Sequence, residues 1–303
     1  MISHPKPLDY LALLALSFMW GSSFLAIEKS LISFGPLAIA AGRITIAALL
    51  LNGLVLIRGL KLPTSRAVWG RLLVIAVLSS VLPFILISWG QQSITSSLAA
   101  IIVALVPLNT MLMAHLMLHD ERLTPRRMAG LVAGFSGILL LFAGGAEPGE
   151  SSMLGMIAVF VATMGYAFSS IKMRALSGHS PLVLSAAMML ISFAIIVPLA
   201  LLIDPPNVAA ASRESLLGVA YLGIFSTALG LILLVWIIFR AGAVFFSMSN
   251  FLMPLFGVTL GIAFLDEALS VEAIGAFILI MAGVALTTPR RMKVAGEGGA
   301  AEG

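Results

Sequence analysis

Apolar residues run along this chain in long stretches, interrupted by proline, glycine and clusters of charge. Cutting at those interruptions leaves ten stretches, near 9–31, 36–58, 69–91, 95–118, 125–144, 152–176, 181–203, 215–239, 243–264 and 270–288. Each is close to the ~20 residues that an α-helix needs to cross the hydrocarbon core. A spanning barrel would instead show segments of about ten residues that alternate apolar and polar positions. Lipid offers no partner to an unpaired backbone amide, so continuous apolar runs of this length predict helices. The reading is an all-α membrane protein with ten transmembrane helices. Water is left with a lead over residues 1–8, short connectors, and a Gly- and Ala-rich tail over 289–303 that predicts disorder. The first stretch is a full span long and has a partner in the second half, so it reads as a membrane helix, not a cleaved signal.

Composition sharpens this. The chain is 60% hydrophobic and carries 17 Lys+Arg and 13 Asp+Glu, where a soluble chain of this length would carry about 75 charged residues. Its mean hydropathy is +1.13. The absence of cysteine excludes disulfides, thiol catalysis and thiolate metal sites, and four histidines are too few to suggest a His-rich one. We therefore expect no metal and no cofactor. The net charge of +4 reports topology, not an affinity for nucleic acid. With a cytoplasmic N-terminus, the inner segments hold Lys6, Arg58, Lys61, Arg66, Arg71, Arg122, Arg126, Arg127, Lys172, Arg174, Arg240, Arg290, Arg291 and Lys293. Only Lys29 and Arg213 fall outside, and Arg43 lies within the second span. That bias predicts a multi-pass protein of a bacterial-type inner membrane with both termini in the cytoplasm.

The two halves repeat each other. Met19-Trp20-Gly21-Ser22-Ser23-Phe24 is echoed by Thr163-Met164-Gly165-Tyr166-Ala167-Phe168, and Pro36-Leu37 by Pro181-Leu182. Trp89, Pro107, Asp120-Glu121 and Gly137 return at nearly the same offset as Trp236, Pro254, Asp266-Glu267 and Gly283. The units are 9–144 and 152–288, five helices each. Five is odd, so the second copy starts on the opposite side of the membrane and the repeats are inverted. Such repeats let one site open alternately to either side; a duplication that only stabilises a bundle is the plainer alternative.

The residues at this point resemble a known family. Trp20-Gly21-Ser22-Ser23-Phe24 in the first span, Arg43 in the second, and Glu121-Arg122-Leu123-Thr124 with Gly130 and Gly137, matched by Glu267-Ala268-Leu269-Ser270 with Gly275 and Gly283, are similar to the EamA branch of the drug/metabolite transporter superfamily. The resemblance covers about residues 8–288. The second copy departs where Met164 replaces Trp20 and Met188 replaces Arg43. The resemblance implies a ten-helix exporter or permease of small organic metabolites, its cavity formed chiefly by the first, third, fourth, sixth, eighth and ninth helices. Within the branch the chain looks closest to YddG-type exporters of aromatic and other neutral amino acids.

An ionisable group at membrane depth is expensive and so a functional candidate. Arg43 lies seven residues into the second span, roughly 10 Å down. Its guanidinium could hold a substrate carboxylate bidentately, or tie helix ends together through carbonyls or Glu28. Lys172 reads as a snorkelling residue and His115 as a hydrogen-bonding structural one. No Asp or Glu falls mid-span, which argues against proton coupling through a central carboxylate. The acidic pairs at 120–121 and 266–267 read as caps on the N-termini of the fifth and tenth helices. Ser79, Ser80, Asn109, Ser226, Thr227, Ser247, Ser249 and Asn250 either bond across helices or face water and substrate. Trp20, Phe84, Trp89, Tyr166, Tyr221 and Trp236 could wall an apolar side chain or a cation–π site, with Trp89 and Trp236 alternatively interfacial anchors. Met164 offers a flexible, polarizable wall. Pro83, Pro107, Pro198 and Pro254 interrupt helices, and the matched Pro107 and Pro254 suggest gating hinges. Gly130-x-x-x-Gly134 and Gly257-x-x-x-Gly261 report close packing, within the chain or in a homodimer. The expected binding set is Trp20, Ser23, Arg43, Ser80, Phe84, Asn109, Met164, Tyr166, Tyr221, Thr227 and Asn250, around a small neutral or zwitterionic molecule such as an aromatic amino acid. A channel-like facilitator and an intramembrane enzyme remain as alternatives. Against the enzyme, the sequence shows no metalloprotease, nucleophile-elbow or P-loop motif; without a P-loop, ATP does not drive transport in this chain.

Overall fold

The computed structural model describes residues 5–118, 123–143, 153–176 and 178–288. Asp120, Glu121, Arg122, Glu147, Glu150 and the tail 289–303 lie outside them, as do the expectations placed there. Among the described residues the chain forms helices and no strands. Eight helices are long and apolar enough to cross a membrane: α1 (Pro7–Leu31), α2 (Pro36–Ile57), α3 (Arg66–Gly90), α4 (Ser96–Met117), α5 (Pro125–Ala143), α6 (Met153–Leu176), α7 (Pro181–Ile203) and α8 (Arg213–Gly242). Two shorter apolar helices follow, α9 (Ser249–Leu265) and α10 (Val271–Thr287). Proline opens α1, α2, α5 and α7, where its missing N–H costs nothing.

Several helices are not regular, each with a local cause. Helix α1 breaks at Ser22. Helix α4 breaks at Ala104–Leu105 just ahead of Pro107, which leaves the Val103 carbonyl without its donor. Pro254 and Pro198, by contrast, sit inside continuous helices. Of the matched prolines, only Pro107 therefore accompanies a break. Two stretches widen into π-helix, Val77–Val81 in α3 and Leu222–Leu229 in α8. They carry the pairs Ser79-Ser80 and Ser226-Thr227, and nothing in the apolar pattern marked them. At the end of α8, Gly242 takes φ 86°, a conformation that favours glycine, and kinks the chain ahead of α9.

Helix pairing follows a rule. The main contacts are α2 with α7, α4 with α9, α5 with α10, α3 with α6, α1 with α8, α4 with α6, α1 with α9, α2 with α8 and α3 with α7. Exchanging every helix for the one five places along leaves this set unchanged. Small residues permit the closest approaches: a Cβ on Gly130 would lie 2.8 Å from the Gly283 carbonyl oxygen, and one on Gly283 would lie 2.5 Å from that of Gly130. Likewise a Cβ on Gly257 would press on Ala100. Both glycine motifs are thus used in packing α5 on α10 and α9 on α4 within the chain. The central helix is α4, whose Ile101, Ile102, Leu105 and Leu108 are fully buried.

Polar contacts gather the helix termini at two ends. At one, Asp9 binds Arg240, Arg71 donates to the Ala175 carbonyl and Arg126 to that of Ala285. At the other, Asp204 accepts from the amides of Leu37 and Ala38, Lys29 pairs with Glu214, and Glu267 accepts from the amides of Ser96 and Ser97. The last contact corrects a sequence expectation. Glu267 caps α4, at 2.8 and 2.9 Å, not α10. Helix α10 is capped by Ser270, whose hydroxyl accepts from the Ala273 amide, so the acid three residues earlier is free to reach across.

Candidate functional site

The polar residues at membrane depth fall mainly into two linked groups, joined by the π-helical stretch of α8. Arg43 anchors the first. Its side chain is buried, and it donates through Nε and Nη2 to the Thr227 hydroxyl at 3.2 and 3.1 Å. The same hydroxyl donates to the Leu222 carbonyl at 2.8 Å, a bond that the widened helix makes available. The guanidinium carbon stands 3.7 Å from the Phe84 ring centroid. Tyr166 packs on the apolar cluster that includes Phe84, Ala40, Ala41 and Ile44. Among the described residues no carboxylate lies within ion-pair distance of Arg43. Glu28, one of the partners expected from the sequence, is elsewhere, beside Gln91.

A buried ion without a counter-ion costs several kcal/mol. Stacking on Phe84 offsets part of this, about 2 kcal/mol when desolvated, and the threonine satisfies one edge of the fork. What remains is a buried cation with no counter-ion among the described residues.

The second group closes around the break in α1. Trp20 Nε1 donates to the Ser226 carbonyl at 3.0 Å, and Ser226 Oγ donates to the Met19 carbonyl at 2.8 Å. Ser22 and Tyr221 share a hydrogen bond of 2.6 Å, and Ser23 Oγ donates to the Trp20 carbonyl at 2.5 Å. Tyr221 stacks on Phe225, and Trp20 meets the Phe246 ring edge-on. The break in α1 and the bulge in α8 thus satisfy each other's loose polar groups, as lipid requires. Ser226 and Thr227 are neighbours, so the arginine and tryptophan groups share one short segment.

The rest of the expected set is less connected. Asn109 is fully buried and donates to Thr163 Oγ1 at 2.7 Å, tying α4 to α6, while its Oδ1 has no partner among the described residues. Ser80 is buried, Met164 and Asn250 half-buried; no hydrogen bond among the described residues ties them to Arg43 or Trp20. A cavity of about 350 Å³ lies between α2, α7 and α8, lined by Phe34, Ala41, Gly42, Ala200, Leu216 and Val219. Its walls are apolar, and it flanks the arginine helix on a side different from the cavity the resemblance implied. Lys172 is exposed, its Nζ 5.2 Å from the Phe168 ring centroid.

Sequence reading passed over Asp9. It is fully buried at the start of α1, 2.8 Å from Arg240 Nε, and the guanidinium also stacks on Trp236. An acid three residues into a helix looks like a local cap, and Asp9 Oδ2 does accept from the Lys6 amide at 2.8 Å, but its other oxygen accepts from a residue 231 positions away. Gln91 was missed as well; it is buried and donates to the Phe24 carbonyl at 2.9 Å.

Comparison with known proteins bears on the whole chain. The model of the EamA-like transporter family matches residues 8–143 and again 153–288. The inner membrane transporter YedA of Escherichia coli is 26% identical over 277 residues, covering 91% of this chain and 89% of YedA. The transporter YdeK of Bacillus subtilis is 30% identical over 257 residues, covering 82% and 86%, and PecM of Dickeya dadantii 27% over 256, covering 83% and 82%. A solved crystal structure superposes with a TM-score of 0.66 at 22% identity, covering 94% of this chain and 97% of its own; that likeness speaks to fold alone.

Proposed function

The chain belongs to the EamA-like transporter family and is a multi-pass membrane transporter, and from that premise we propose that it exports small zwitterionic metabolites, aromatic or other neutral amino acids, by alternating access. The observation that carries the substrate class is Arg43: a buried guanidinium with no carboxylate partner among the described residues, beside aromatic rings. A neutral amino acid brings the missing carboxylate and an apolar side chain for Phe84, Tyr166, Trp20 and Tyr221.

The mechanism rests on two inverted five-helix repeats, 9–144 and 152–288. Helices α9 and α10, 17 residues each, are at the short end of what spans a bilayer, giving ten crossings. The exchange-invariant pairing of helices supports a pseudo-two-fold relation. Orientation is read from charge. The end holding Lys6, Arg58, Lys61, Arg66, Arg126, Arg174 and Arg240 is cytoplasmic, and the end holding Glu28, Asp204, Glu214, Asp266 and Glu267 faces out. YedA's name and the charge bias support an inner-membrane location.

Reconstitution tests this. In proteoliposomes loaded with L-phenylalanine, external labelled L-phenylalanine should enter by saturable counterflow, with little response to a pH gradient at zero potential. Flux that rises linearly with concentration, with no counterflow, would replace the carrier with a channel. Chemical conversion of the substrate without movement would point to an enzyme.

A further inference from the structure

Arg43 presents the Nε–Nη2 edge of its guanidinium, the edge that takes two carboxylate oxygens side by side. Here one oxygen, Thr227 Oγ1, accepts from both nitrogens at 3.2 and 3.1 Å. A fork shaped for two acceptors is filled by one. The Thr227 proton is committed elsewhere, to the Leu222 carbonyl five residues back, so the hydroxyl faces Arg43 as an acceptor only. The bond goes with the π-helical widening of Leu222–Leu229, since in a regular helix a threonine hydroxyl reaches the carbonyl three or four residues back, as Thr45 does to Ala41, and not five. Next in sequence, Ser226 is bonded twice to α1, through its carbonyl to Trp20 and its hydroxyl to the Met19 carbonyl.

We infer that Thr227 is an internal stand-in for the substrate carboxylate, and that exchange of one for the other on Arg43 releases the α8 bulge from α2. The exchange breaks two hydrogen bonds from the cation to one neutral hydroxyl and forms two between opposite charges, one to each carboxylate oxygen. The gain is spent at the segment that also grips the break in α1. Occupancy of the arginine is thereby linked to how α1 and α8 sit on each other, which a carrier needs if only the loaded form is to reorient. This inference rests on the carboxylate-binding reading of Arg43, and it adds a positioning role for Thr227 that opposes binding.

The sign of the Thr227 effect is the test. A residue that merely supports the site weakens binding when removed; a competitor strengthens it. Thr227→Val keeps the shape and removes the acceptor, and Thr227→Ser keeps the acceptor. The probes are benzoate and L-phenylalanine, each against its carboxamide, and the readouts are thermal stabilisation of detergent-solubilised protein and L-phenylalanine counterflow. For Thr227→Val we expect carboxylate affinity to rise roughly 5- to 10-fold, about 1–1.4 kcal/mol, with slower counterflow. Thr227→Ser should match the wild type and the carboxamides should gain nothing. Weaker carboxylate binding in Thr227→Val, or an equal gain for the carboxamides, overturns the inference. Absence of carboxylate-specific stabilisation in both wild type and Thr227→Val also overturns it. If benzoate shows the expected pattern while L-phenylalanine does not bind, the stand-in role holds and the amino-acid assignment fails. Should Thr227→Val be poorly folded, Arg43→Lys provides the second arm: a point charge cannot use the fork, so carboxylate affinity must fall while the Trp20-dependent fluorescence of the apo protein stays unchanged.

Discussion

Replacing Glu267 tests whether a single carboxylate locks α9 and α10 onto the start of α4. Its two oxygens accept from consecutive amides at the start of α4, at 2.8 and 2.9 Å. Hydrogen bonds to a charged acceptor contribute ~1.5–3 kcal/mol each, and the favourable helix dipole adds about 0.3–1 kcal/mol. Glu267 is half-exposed, which lowers both figures toward the 0.5–2 kcal/mol measured for N-cap substitutions, so we expect about 2 kcal/mol for Glu267→Gln. The amide can still accept one bond, but its NH2 faces the other donor. Gly261→Ala should act through the same contact, because its new Cβ would collide with Glu267 Oε2 and Ser97 Oγ. Equilibrium unfolding in mixed micelles gives each value. The double variant should cost less than the sum of the singles, since both disable one cap. Ser270→Ala, at the cap of α10, should cost about 1 kcal/mol and add independently. Singles that each fall within about 0.5 kcal/mol of wild type, or strict additivity of Glu267→Gln with Gly261→Ala, would refute the reasoning.

Three further outcomes follow from other contacts. Asp9→Asn should destabilise by about 2 kcal/mol, less than the 3–5 of a fully buried pair because Arg240 can rehydrate, and Arg240→Gln on top should recover part of the loss in the same unfolding assay. Gly283→Leu places a side chain where two backbones touch and should cost about 3 kcal/mol, seen as a sharply lower unfolding temperature and expression yield. Pro107→Ala returns a donor to the Val103 carbonyl and heals the break in α4, which should slow counterflow while raising stability; Pro254→Ala, in an unbroken helix, should leave the rate nearly unchanged.

The helices were legible because lipid imposes a length and a continuity that the apolar runs obey, and proline marks several of their starts. Positions of Arg43, Thr227 and Asn109 on those helices followed at once. What each would touch did not. Asn109 bonds to Thr163, which nothing in the apolar pattern favours over Ser79 or Ser226. The π-helical stretches were invisible because one extra residue in a turn leaves the apolar run unbroken. Glu267 was misassigned for a related reason: local spacing before α10 satisfied a capping pattern, and only tertiary placement shows that Ser270 already serves there. Asp9 was overlooked because its environment is made by α8, far away in the chain.

Departures from symmetry show where chemistry has been added to a symmetric frame. The crossing of α2 on α8 brings Arg43 to Thr227; its counterpart is the crossing of α7 on α3. There Met188 of α7 and Ser80 of α3 stand at the positions that repeat Arg43 and Thr227, and both side chains are buried. Under the inverted arrangement proposed above, one crossing is cationic and the other apolar, facing each other across the pseudo-two-fold axis. Trp20 and Met164 differ in the same sense, the polar-tipped aromatic lying in the half that owns the arginine. On the substrate reading proposed above, a zwitterion with an apolar side chain would lie with its carboxylate toward α2 and its side chain toward α7. Two arginines, one at each crossing, would bring a second buried charge and several more kcal/mol of desolvation to compensate. On the proposal made above, one cation with a neutral hydroxyl partner limits that cost in the empty form and still favours a carboxylate, so the two halves would gain from differing at Arg43 and Met188.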